Sequence, residues 1–73
     1  MLVKINTVVE GDVIKTRSES FSRALILANQ YATHSREGIQ LVDDNDLNKG
    51  WYVDVPADNP NVTTTYDFQP VID

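Results

Sequence analysis

The residues with the most capacity for chemistry are five aspartates in one short segment. The segment is LVDDNDLNKGWYVDVPAD, residues 41–58. Clustered carboxylates can ligate a hard cation, serve as an acid and a base, or offer negative charge to a basic partner. The same residue types also form plain hairpin turns. The aspartates concerned are Asp43, Asp44, Asp46, Asp54 and Asp58.

The spacing of these carboxylates does not fit a calcium loop. An EF-hand needs oxygen ligands at alternate positions, glycine at position six and a bidentate glutamate at position twelve. If Asp44 is position one, Asp46 and Asn48 occupy positions three and five. Lys49 then stands in place of the glycine and Val55 in place of the glutamate. We therefore expect no metal ion and no cofactor, and a metal-responsive loop is the weakest of the alternatives.

Catalytic groups of other kinds are also few. The chain has no cysteine and one histidine, His34, which falls in the last turn of the predicted helix, where a cation meets the negative end of the helix dipole. Three glycines build neither a P-loop nor a dinucleotide fingerprint. A short chain also offers little volume in which to bury a carboxylate and raise its pKa. We therefore expect a protein that is not an enzyme.

Charge is distributed unevenly over a chain that is long enough for one domain, residues 1–73. Residues 1–37 hold five basic and four acidic groups, whereas residues 38–73 hold one basic and seven acidic groups. Direct binding to nucleic acid or to an anionic membrane needs a basic surface, so we expect neither. The acidic half instead suits a protein partner with a basic surface. The lack of cysteine and of a long apolar run predicts a cytoplasmic location, in the host cell if a phage encodes the chain.

The first half of the chain shows a strand period and then a helix period. VKINTVV alternates, Glu10 to Asp12 supplies a turn, and Val13 to Arg17 predicts a second strand paired as a hairpin. SESFSRALILANQYATHS follows with apolar residues three and four apart, and Ser18 or Ser20 can cap this helix. The apolar stripe consists of Phe21, Ala24, Leu25, Ala28, Tyr31 and Ala32, widened by Leu27.

The second half predicts two short strands around a hairpin loop. GIQLVDD and GWYVDVP flank the turn-forming DNDLNKG, in which aspartate and asparagine can bond their own backbone. VTTTYDFQPVI alternates again, so we interpret residues 57–73 as an edge strand or a partly ordered tail. The fold class is α+β: an antiparallel ββαββ sheet, with or without a last strand, carrying one helix on one face.

Two further side chains extend the predicted contact surface beyond the carboxylates. Trp51 should be buried with Val53 and Val55, which turns Tyr52 outward beside Asp54, and exposed tyrosines often anchor interfaces. Ile26 lies opposite the apolar stripe of the helix. The alternative is that neither feature binds a partner: the acidic loop is then only solvated, and Ile26 is a single exposed isoleucine of a kind that is common. The predicted partner-binding residues are Asp43, Asp44, Asp46, Tyr52, Asp54, Asp58 and Ile26.

The order of elements over residues 3–55, with the SFSRALILA helix between a hairpin and an acidic loop, resembles the small inhibitors that phages and mobile elements encode. Anti-CRISPR proteins and the small phage inhibitor of bacterial RNA polymerase are such proteins. The resemblance is one of format, without a shared motif, so it assigns no residue a role. It implies stoichiometric binding to a host machine, with carboxylates that imitate nucleic-acid phosphates or occupy a basic groove.

A structural role is the alternative to inhibition. The chain would then be an accessory or assembly domain that forms homodimers or larger homo-oligomers. Its contacts would run through the outer helix face around Ile26 or through VTTTYDF by strand addition.

Overall fold

A computed structural model describes residues 1–71 and places five strands in one antiparallel sheet, with one α-helix and a short 3-10 helix over Leu47–Lys49. The strand order across the sheet is β2-β1-β5-β4-β3. The predicted α+β class, with one helix on an antiparallel sheet, is confirmed. The elements are β1 (Leu2–Val9), β2 (Asp12–Ser20), α1 (Phe21–Ala32), β3 (Gln40–Leu41), β4 (Trp51–Pro56) and β5 (Thr63–Val71).

The β1–β2 hairpin forms where the sequence predicts it. Its two-residue turn, Glu10 and Gly11, has φ values of 52° and 84°, and both are positive as a type I′ turn requires. The pairing then shifts, because Thr7 faces Lys15 while Val8 faces Val13. Ile14 is therefore an extra residue, which makes a β-bulge in β2. The strand continues to Ser20, three residues beyond its predicted end at Arg17.

Helix α1 follows β2 without a loop. The Oγ of Ser20 accepts a hydrogen bond of 3.2 Å from the backbone N–H of Arg23, which confirms one of the two predicted caps. The helix ends at Ala32, so His34 lies beyond its last turn rather than in it. The predicted helix is too long there because Thr33, His34 and Ser35 fold into a turn. No helix among residues 1–71 has the length and apolarity to span a membrane.

The core lies between α1 and one face of the sheet. Trp51 stacks on Phe68 with ring centroids 5.4 Å apart, and Tyr31 stacks on Tyr66 at 3.8 Å. Burial, and secondly the neighbouring Tyr31, raise the pKa of the Tyr66 hydroxyl. Val55 is only half-buried at the margin, although the strand period predicted it inside. The fully enclosed apolar side chains are Val3, Ile5, Ala24, Leu27, Ala28, Trp51, Val53 and Phe68.

The last strand, β5, lies at the centre of the sheet, between β1 and β4. The prediction of an edge strand or tail over 57–73 is therefore wrong for the described part; residues 72–73 lie outside it. Phe68 faces Ile5 on one side and Trp51 on the other, so its ring completes the core. Pro70 is tolerated because it lies beyond the end of β4, where β5 has only β1 as a neighbour.

Candidate functional site

The acidic loop, which we define as residues 42–50, joins β3 to β4 as a hairpin. Asp43 Oδ1 accepts a hydrogen bond of 3.0 Å from the N–H of Asn45, and Asp46 Oδ1 accepts one of 2.9 Å from the N–H of Asn48. A backbone hydrogen bond of 3.1 Å, from Val42 N–H to Gly50 O, closes the loop. The predicted hairpin loop is confirmed, and these two carboxylates stabilise it. They remain half-exposed, so their turn role leaves them accessible to a partner.

Gly50 fixes the acidic loop against the centre of the sheet. Its φ is 107°, and a Cβ at this position would lie 2.6 Å from the backbone oxygen of Phe68. Any other residue would force the loop and β5 apart. Gly50 therefore anchors the end of the acidic loop against β5.

Two apolar side chains accompany the carboxylates of the acidic loop. Val42 is 59% exposed and Leu47 is 41% exposed. Sequence reasoning selected neither: Leu47 lies in the predicted loop DNDLNKG, and Val42 lies in the predicted strand GIQLVDD, which the structure shortens to Gln40–Leu41. Asp44, between them in the chain, is exposed too. The acidic loop thus presents two exposed apolar side chains next to carboxylates. Many protein interfaces likewise combine an apolar centre with a polar rim.

Tyr52 and Asp54 lie on the open face, which we define as the face of the sheet opposite α1. Because Trp51 and Val53 point into the core, the alternate residues of β4 point away from it. The hydroxyl of Tyr52 donates to Gln40 Oε1 at 3.3 Å, and Thr65 Oγ1 donates to Asp54 Oδ1 at 2.7 Å. The outward orientation of Tyr52 is confirmed, but its ring is half-buried among its neighbours.

Asp67 is an acidic group of the open face that sequence reasoning did not select. It faces Asn6 on β1 and Tyr52 on β4, so it lies near the middle of the sheet. Burial raises the pKa of its carboxyl, and the positive charge of Lys4 partly opposes this shift. Gln69 Nε2 donates to its Oδ2 at 3.2 Å. The strand period with Phe68 could have placed it outward, but the assumed edge position hid its central location.

The remaining predicted contact residues lie apart from the acidic loop. Asp58 follows β4, whereas the loop precedes it, and a strand of six residues separates the two by about 20 Å. Ile26 is 49% exposed on the outer side of α1, on the opposite side of the sheet from Tyr52. The structure therefore brings Asp43, Asp44 and Asp46 together near Tyr52 but leaves Asp58 and Ile26 on separate surfaces.

A shallow pocket of about 220 Å³ lies where the α1–β3 connection passes β4. Charges of both signs line it, namely Arg36, Glu37 and Asp54. Within residues 1–71 no group of three or more histidine, cysteine, aspartate or glutamate side chains is placed to hold a metal ion. The full lining is Arg36, Glu37, Asp54, Pro56, Pro60 and Thr63.

Comparison of the chain with protein-family models, with curated proteins and with solved structures finds no match. The resemblance to phage-encoded inhibitors therefore stays a prediction.

Proposed function

We propose that the chain is a non-enzymatic protein-binding module whose acidic flank binds and inhibits a basic, nucleic-acid-binding protein. The acidic flank is the part of the molecule formed by residues 38–71, which contains β3, β4, β5 and their loops. It holds six acidic groups and one basic group, Lys49. The acidic groups are Asp43, Asp44, Asp46, Asp54, Asp58 and Asp67.

The observation that carries this proposal is the segregation of charge across the sheet. The strand order puts β3 and β4 together at one side, β5 beside them, and the β1–β2 hairpin at the other side. The β1–β2 hairpin, residues 2–20, holds three basic and three acidic groups and has no net charge, against −5 for residues 38–71. A one-sided negative field attracts and orients a basic surface. Such a surface is what proteins use to hold nucleic-acid phosphates.

Within the acidic flank, the acidic loop is the segment best suited to contact a partner. The turns of Asp43 and Asp46 and the close approach of Gly50 to Phe68 fix the backbone of the loop. Binding would therefore cost little conformational entropy in this loop. Val42 and Leu47 can bury apolar area while the carboxylates pair with basic side chains. Inhibition would follow if the carboxylates occupy positions that phosphates take in the partner's groove.

Charge-neutralised variants test this proposal in capture experiments from a bacterial lysate at low and moderate salt. Asp43→Asn with Asp44→Asn removes two charges, and asparagine keeps an oxygen for the turn. The matched control, Glu10→Gln with Asp12→Asn, removes two charges from the β1–β2 hairpin instead. We expect the wild type and the control to capture a basic nucleic-acid-binding protein, and the loop variant to capture much less of it. If both variants lose capture to the same extent, or if neither loses it, a specific role for the acidic loop is contradicted.

Self-association in a structural or assembly role is the second candidate. It cannot use VTTTYDF as an added strand, because these residues belong to the central strand β5. The outer edge of β2 favours it instead, since β2 has a neighbour on only one side among the described residues.

A further inference from the structure

The longest uncovered backbone edge of the described molecule belongs to β2. This strand has nine residues and pairs only with β1, so its outer N–H and C=O groups have no strand partner within residues 1–71. Such an edge is a template for another strand. The edge on the other side of the sheet, β3, has only two residues.

The features that protect this edge also restrict what can pair with it. The bulge at Ile14 increases the local twist, so the regular part of the edge runs from Lys15 to Ser20. Charged side chains on this part discourage unspecific pairing with an uncharged strand. A partner strand must therefore be short and must carry charges that match Lys15, Arg17 and Glu19.

We propose that two copies of this chain pair through β2 in an antiparallel manner, with Ser18 of one copy opposite the partner's Ser18. In this register Arg17 of each copy faces the partner's Glu19, which makes two opposite-charge pairs. Thr16 faces the partner's Ser20 on the open face, where small hydroxyl side chains allow close approach. Both opposite-charge pairs stabilise the ladder.

The charge pattern selects this register among the symmetric ones. A two-fold axis perpendicular to the sheet keeps each side chain on its own face, so residues pair only with residues of the same face. With Thr16 on the axis, Lys15 would face the partner's Arg17. With Arg17 or Glu19 on the axis, that residue would face the same residue of the partner chain. Each of these registers places like charges directly opposite one another, which is destabilising.

This pairing leaves the acidic flank free. β3 lies at the far edge from β2, so the two β3 strands would end a continuous sheet of ten strands, twice the five of one chain. Nine strand spacings of about 4.8 Å separate them by about 43 Å. If the proposed function holds, the dimer presents two acidic loops to one extended basic partner and gains avidity. The pairing itself does not depend on that function.

Charge exchange on β2 tests the proposal by sedimentation equilibrium of the full chain from micromolar to millimolar concentration. Arg17→Glu replaces two attractive pairs between the copies by two repulsive ones, so the dimer Kd should rise roughly tenfold or more. It also removes the 3.9 Å contact between Arg17 and Glu19 of the same chain. Adding Glu19→Arg restores opposite charges in the same register, and the Kd should return close to the wild-type value. The matched control, Arg36→Glu, makes the same change in the α1–β3 connection and should leave the Kd unchanged.

Hydrogen exchange supplies a second readout that does not depend on a variant. Outward amides between Thr16 and Ser20 should exchange more slowly at millimolar than at micromolar concentration, because pairing covers them. A wild-type chain that stays monomeric at millimolar concentration overturns the proposal. So does a dimer whose Kd is unchanged by Arg17→Glu, or changed equally by Arg36→Glu. Neither result would bear on capture of a basic partner, which the Asp43→Asn, Asp44→Asn variant tests separately.

Discussion

The two edges of this sheet are built for different kinds of contact. The β2 edge has nine residues, open backbone groups and charges of both signs. The β3 edge has two residues, followed by an acidic loop that uses Asp43 and Asp46 to bond its own backbone. A strand can add to the first edge, but at the second a partner meets mainly side chains. This difference fits the two proposals, self-pairing at β2 and binding of a basic partner at the acidic loop, which use separate edges of the sheet.

Gly50→Ala should have the largest effect of the stability variants and should break the β3 edge. The new Cβ would lie 2.6 Å from Phe68 O, and φ is 107°, so both the clash and the backbone strain oppose folding. We expect the free energy of unfolding to fall by about 3 kcal/mol in urea denaturation.

Gly38→Ala is the matched control for Gly50→Ala. Its φ of 72° is also positive, but a Cβ there meets nothing within 4 Å. Only the strain of a left-handed conformation remains, which amounts to about 1 kcal/mol. Equal losses in the two variants would show that the close approach to β5 does not anchor the acidic loop.

Ser20→Ala tests the junction at which β2 becomes α1. The variant removes the oxygen that accepts from the N–H of Arg23, so the helix loses its N-cap. Thermal and urea unfolding should show a loss of about 1 kcal/mol. Ser22→Ala removes only a 3.4 Å hydrogen bond between the Ser22 and Ser20 hydroxyls and leaves the cap in place, so it should lose much less. A null effect of Ser20→Ala would mean that β2, rather than the cap, fixes the start of the helix.

Asp67→Asn should have the smallest effect, and the size of this effect should depend on pH. The pKa of Asp67 is raised above its ordinary value of 3.8 in the folded chain, so the folded state holds this proton more tightly than the unfolded state. The charged carboxylate therefore lowers stability as pH rises through the folded pKa, and asparagine removes this loss. We expect Asp67→Asn to stabilise at pH 7 by about 0.5 kcal/mol or less, and by less still at pH 3.

Urea unfolding of both chains between pH 3 and pH 7 gives the difference directly. Lys4→Met should enlarge it, because the Lys4 charge favours the carboxylate form. A variant that is less stable than the wild type at pH 7, with a difference that grows with pH, would contradict the raised pKa.

The parts of the fold that depend on local order could be predicted from the sequence. Alternation and the Glu10–Gly11 pair predict the first hairpin, the three-and-four spacing predicts α1, and the Asp and Asn residues of 43–48 predict the turn-rich loop. Each of these signals lies within a few residues of the structure it describes.

The position of β5 could not be predicted because it depends on pairing between distant parts of the chain. Thr63–Val71 alternates as an edge strand would, and its proline favours that interpretation. Only the pairing of Phe68 with Ile5 and Trp51 shows that the strand is central. The same missing information hid the central position of Asp67.

One pair of variants, measured in two assays, tests most directly whether the two edges act separately. Asp43→Asn with Asp44→Asn and, separately, Arg17→Glu would each be assayed for dimer Kd and for capture of a basic partner. We predict that the loop variant loses capture and keeps the wild-type dimer Kd. The β2 variant should raise the dimer Kd roughly tenfold or more and still capture the basic partner. Loss of both activities in both variants would contradict the division of the sheet into two independent edges.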